Sequence, residues 1–121
     1  GRTIYGGLVK YGEIWRLGAN EATEIEFFKP VKIDGKKVAK GRYTLYAIAY
    51  ESTWTFILNK DTDTWGAFKY DQKKDVLRVS VPVEKITEPV ESMSMGFEKT
   101  NTGFKLVIAW DTVKAGLPIS L

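Results

Sequence analysis

The sequence predicts an all-β chain, an antiparallel two-sheet β-sandwich of about eight or nine short strands with jelly-roll-like connections. Three observations predict it. Apolar residues alternate with polar ones over short runs, as at Leu77, Val79, Val81 and Val83. The runs recur at intervals of about a dozen residues and are parted by Gly, Asn and Asp turns. No segment sustains the apolar stripe of an amphipathic helix.

Near the start, Gly6–Phe28 fits no regular pattern. Leu8, Tyr11, Ile14 and Trp15 lie near helical spacing, but Gly6, Gly7 and Gly12 would weaken any helix containing them. It reads as an irregular glycine-rich loop with at most one helical turn. After Gly18-Ala-Asn-Glu21, Ile25 and Phe27 alternate with Glu24 and Glu26 as in a half-buried strand over Thr23–Phe28.

Val31–Val38 holds two short strands around Asp34-Gly35, a strong hairpin signal. Arg42–Tyr50 is apolar or aromatic on both faces and so predicts a central, doubly covered strand. In Trp54–Asn59, Trp54, Phe56 and Leu58 share a face. Asp61–Tyr70 reads as a polar loop interrupted by Trp65-Gly66-Ala67-Phe68, a short edge strand. Asp75–Val83 alternates cleanly, and Pro82 fits its end. Glu91–Glu98 sets Met93, Met95 and Phe97 on one face. Asn101-Thr102-Gly103 turns the chain into Phe104–Trp110, and Val113–Ile119 is a last strand shortened by Pro118. The expected core is Leu45, Ile48, Phe56, Leu58, Leu77, Val79, Val81, Phe97, Leu106 and Ile108.

A chain of 121 residues, 44% hydrophobic and 13% aromatic, is long enough for a real core and too apolar for disorder. It predicts one domain over residues 1–121. No apolar run approaches the roughly 20 residues of a membrane helix, so no transmembrane segment is expected. Lys29, Lys32, Lys36, Lys37, Lys40 and Arg42 gather around one turn; with a net charge of only +3 they read as solvated turn residues, and nucleic acid is not an expected partner. The chain starts at Gly1 without a methionine or signal peptide, which reads as a trimmed or mature form.

The absences narrow the chemistry. Without cysteine there is no disulfide, thiolate nucleophile or zinc–sulfur site. Without histidine the commonest general base and transition-metal ligand are missing. No cofactor or metal is expected, and an enzyme is disfavoured.

Two clusters combine flat aromatics with donors and acceptors, the mix that sugars and carboxylates need. Trp15, Arg16, Asn20 and Glu21 form the first, and Asn59, Lys60, Trp65, Tyr70 and Asp71 the second. The competing reading buries Trp15 and Trp65 as lids on the core, with Arg16 held by Glu21 or another acid. Asp61, Asp63, Asp71 and Asp75 offer hard oxygens, but only the first pair has the spacing of a calcium loop. Glu21, Glu24, Glu26, Asp71 and Asp75 could supply a carboxylate pair for glycoside hydrolysis, which needs two acids facing across a cleft.

The strings GRTIYGGLVKYGEIWRLGANEAT, KKVAKGRYTLYAI and WTFILNKDTDTWGAFKYDQKKDVLRVSV resemble the bacterial family catalogued as domain of unknown function 2911, over nearly the whole chain. The resemblance implies a β-sandwich and an exported, extracytoplasmic protein (periplasmic, envelope or secreted). It also implies a signal peptide and an additional strand-forming segment ahead of Gly1, and no particular activity. The expected function is a non-catalytic binding module for a small polar ligand or glycan at the loop end of the sandwich. The alternatives are a carboxylate-dependent glycan-acting enzyme and a structural or assembly domain with no small-molecule site.

Overall fold

The structure, a computed structural model, describes residues 11–15, 17, 23–62 and 70–121. Its regular elements are antiparallel strands and one short 3-10 turn, Gln72–Lys74. Among the described residues no helix is long and apolar enough to cross a membrane.

The strand β5, Gly41–Ala49, is central, and every residue from Tyr43 to Ala49 is buried. Its alternation explains this. Tyr43, Leu45, Ala47 and Ala49 join the main core, while Tyr46 and Ile48 pack with Ile57, Ile14 and Tyr70 on the opposite face. One edge of β5 carries two strands end to end. β1 (Ile14–Trp15) pairs with Ile48 and Ala47, and β2 (Thr23–Phe27) pairs from Leu45 down to Gly41. Ile14 and Trp15, expected in a loop or helical turn, are therefore strand residues, because β5 is long enough to offer them its edge. The other edge of β5 carries β6 (Thr53–Asn59). Trp54, Phe56 and Leu58 share the core face as expected.

β3 (Val31–Ile33) and β4 (Lys36–Val38) form the expected hairpin. Asp34 and Gly35 sit at φ 54° and 75°, both positive as a type I′ turn requires.

The two remaining strands are long. β7 runs Asp75–Lys99 and β8 Gly103–Ser120. Straight, the 18 residues of β8 would span roughly 60 Å. Instead its ends touch. The Leu121 N–H donates to Thr102 O at 3.0 Å, and a Cβ on Gly103 would lie 2.2 Å from Ile119 O. The strand doubles back at Asp111, whose φ is 57°. β7 follows it around the outside: between Lys85↔Val113 and Ser94↔Ala109 it takes nine steps (94 − 85) against four (113 − 109) on β8. The reversals fall where the sequence reading breaks its strands, after Val83 and after Trp110.

Hydrogen bonding links the strands in the order β1-β5-β6-β7-β8-β3-β4, with β2 also on β5. This antiparallel sheet curls into a half-barrel around the main core, with the smaller Tyr46–Ile48–Ile57 cluster on the other face of β5. Of the expected core residues, Phe97 is the exception at 60% exposed. It shares the inward side of β7 with its neighbour Leu106 on β8, but β2 is the last strand of the opposite wall among the described residues, and nothing described stands beyond it to cover the ring. Ile48 is buried, though on the smaller cluster.

Candidate functional site

Of the residues that the sequence singles out, Arg16, Asn20, Glu21 and Trp65 lie outside the described residues, as does the Trp65–Phe68 segment expected as an edge strand. Trp15 is half-buried on β1 and works as a lid on the core. Its ring meets Trp54 edge-on at 5.4 Å and stacks on Trp110 at 6.0 Å. Beyond β1, Leu17 is fully buried at φ 59°, and its carbonyl accepts from Thr23 Oγ1 at 2.9 Å.

Asn59, Lys60, Tyr70 and Asp71 do converge, at the end of the β6–β7 ladder. Asn59 is wholly buried, so its amide must be met by protein groups. Nδ2 donates to Asp71 O at 2.9 Å and to Asp75 Oδ1 at 2.8 Å, and Oδ1 accepts from the Asp61 N–H at 2.9 Å. The other oxygen of Asp75 accepts from Tyr70 Oη at 2.5 Å and from Arg78 Nε at 2.9 Å. Arg78 Nη2 donates to Tyr70 Oη at 2.8 Å, closing the triangle. Asp71 caps the 3-10 turn by accepting from the Lys73 N–H at 3.0 Å. Lys60 enters through its backbone, which donates to Lys74 O, and its side chain stands in solvent.

The electrostatics follow from that triangle. Burial first, then the bond to Asp75, pushes the Tyr70 hydroxyl up to about 12. The bonds to Asp75 and then Tyr70 hold Arg78 protonated above its ordinary value. A tyrosine so held is a poor general base near neutral pH, and three donors already occupy Asp75. Among the described residues no three acids converge where a metal ion could sit. The cluster is a lock on the end of the ladder. The alternation of Leu77, Val79 and Val81 turns Arg78 away from the core, and it is exposed there; what the sequence did not show is its bond to Asp75, three residues earlier at the start of β7 beside Asn59.

The open space lies elsewhere. Two contiguous grooves of about 320 and 300 Å³ run between β2 and the second half of β7, sharing Ile25, Glu26 and Phe97. Leu45 and Leu106 form the floor of one, beside Met95. The other adds Phe27, Phe28, Phe104 and Leu121. Phe28 is 84% exposed, and the Phe97 and Phe104 rings meet edge-on at 6.3 Å. Here the sequence carried a signal: Phe27-Phe28 breaks the alternation of β2, so one of the two rings must leave the core.

The family model described as a protein of unknown function (DUF2911) matches residues 1–119. The chain belongs to that family. Comparison with curated proteins and with solved structures found no match. In this DUF2911 chain the two grooves between β2 and β7 form one trough, apart from the Asn59–Asp75 lock.

Proposed function

We propose that the chain is a non-catalytic binding module of extracytoplasmic location, whose curled sheet acts as a two-layer β-sandwich. The observation that carries the binding role is the trough. Its Ile25, Phe27, Phe97 and Phe104 surfaces form an apolar concavity on a face where a solvated sheet would carry polar groups. The extracytoplasmic location rests on the family resemblance. Against the glycan-acting enzyme stand Asp75 and Tyr70, whose polar atoms are spent on each other, on Asn59 and on Arg78.

A small polar ligand or glycan at the loop end is the second reading. The observation in its favour is that the Lys60 side chain stands in solvent beside the buried Asn59, while Lys74 lies 3.6 Å from Asp61.

The test is an apolar reporter dye whose fluorescence rises on leaving water, titrated into the chain and into Phe97→Ser. The exposed ring contributes little to stability, so the variant should fold while losing most of the enhancement. Equal enhancement in both proteins removes the trough as a binding site. A glycan array probed with the chain and with Lys60→Ala tests the second reading: glycan binding weakened by the substitution supports it, and binding by neither protein discards it.

A further inference from the structure

We propose that the opening between β2 and the second half of β7 is a slot for one antiparallel strand of a partner polypeptide, alternating apolar with basic residues. This rests on the binding-module reading above and names the occupant of its trough.

Strand direction argues first. From β2 through β5 and β6 to the first half of β7, every neighbour is antiparallel, so that half runs opposite to β2. β7 then reverses around β8, and its second half runs the same way as β2. Two like-directed strands facing across a gap in an antiparallel sheet are joined by an odd number of strands. One is the smallest completion.

Backbone chemistry argues second. Among the described residues, β2 pairs with β5 alone and residues 94–99 of β7 pair with β8 alone. Each leaves, on the side of the trough, a row of N–H and C=O groups that no described residue pairs. An acyl chain lying there would strip water from both rows and return no hydrogen bonds. An added strand returns them on both sides.

Side chains set the pattern. Leu45, Leu106, Met95 and Phe97 below the slot call for apolar residues on the inward face. On the outer face Glu24 is held by Arg42 at 3.2 Å and Glu98 by Lys114 at 3.8 Å, and Glu26 stands between these two ion pairs on the β2 bank. A basic residue opposite Glu26 makes an opposite-charge cross-strand pair. A second copy of β2 would instead set Glu24 against Glu26, a like-charge pairing that disfavours self-association.

The experiment uses the full chain and three probes: a fluorescent peptide alternating valine and lysine, a peptide of the same composition with the two residue types in separate blocks, and palmitate. Binding is read by anisotropy, and backbone pairing by hydrogen exchange at Thr23–Phe27. The alternating peptide is expected to bind, to slow exchange of the β2 amides that do not bond β5 by about tenfold or more, and to outbind the blocked peptide. Glu26→Lys should weaken it by about fivefold and shift preference to a valine–glutamate peptide. Palmitate displacing the reporter dye without protecting β2 overturns the strand proposal and leaves the binding module standing. Failure of peptides, dye and palmitate alike overturns both. Slow exchange of all the β2 amides in the chain alone also overturns it, since the edge is then filled by the chain's own residues or a second copy.

Discussion

Asn59 and Asp75 face each other across the β6–β7 ladder, the amide of the first donating to the carboxylate of the second at 2.8 Å, with the asparagine wholly buried. One side chain thereby meets Asp61, Asp71 and Asp75 together.

Asn59→Ala should accordingly be costly. It leaves a buried N–H, a carbonyl and a carboxylate oxygen short of a partner, a loss of about 2–4 kcal/mol. Urea denaturation measures it. A midpoint shift no larger than that of a surface substitution would show that water replaces the amide freely.

Tyr70 makes stability depend on alkaline pH. Its folded value of about 12 lies above the ordinary 10.0, so the hydroxyl keeps its proton longer in the folded chain. Between those values the unfolded chain carries fewer protons, and stability falls as pH rises. The contribution is whole below pH 10 and is lost towards pH 12. Tyr70→Phe should flatten that decline relative to the parent, and in the parent one of the six tyrosines should ionise late in the ultraviolet titration. Identical alkaline slopes would refute the assignment.

Leu106 and Phe97 are register partners with opposite fates, 2% and 60% exposed. Leu106→Ala should cost about 2–4 kcal/mol and Phe97→Ala less than about 1 kcal/mol. Thermal melts of the two variants give the order directly, and the reverse order would place Phe97 in the core.

Two glycines separate space from geometry. A Cβ at Gly103 runs into the Ile119 carbonyl at 2.2 Å, while at Gly96 it meets nothing within 4 Å. Gly103→Ala should destabilise by about 1–3 kcal/mol, and Gly96→Ala should be close to neutral. Equal melting temperatures would mean that the ends of β8 are not packed as described.

Much of the fold was legible because local chemistry dictated it. Asp34-Gly35 announced its turn, and Leu77, Val79 and Val81 announced their face. Phe97 misled because alternation reports which side a residue faces and says nothing about whether another strand covers that side. The Tyr70–Asp75–Arg78 triangle was hidden for a related reason: the bulge between Leu58 and Asn59 shifts the register there, and counting along a strand cannot show a shift set by its partner. Asp111 gave no warning either, since an aspartate at positive φ is recognisable only once the strand is seen to reverse.

The doubled-back β8 also imposes an order in time. Residues 94–99 of β7 meet 104–109 of β8 across the local turn at Thr100–Gly103, but Val83–Lys85 has no edge of β8 to lie against until the chain has turned at Asp111, so that reversal must precede the long-range part of the ladder. Loop-closure entropy favours the same sequence of events, since the inner turn joins near neighbours and the outer one does not. Val113→Ala, beside the turn and paired with Lys85, should therefore slow refolding, whereas Val79→Ala, on the ladder to β6, should chiefly speed unfolding. Stopped-flow chevrons with the opposite assignment would place the β5–β6–β7 ladder first.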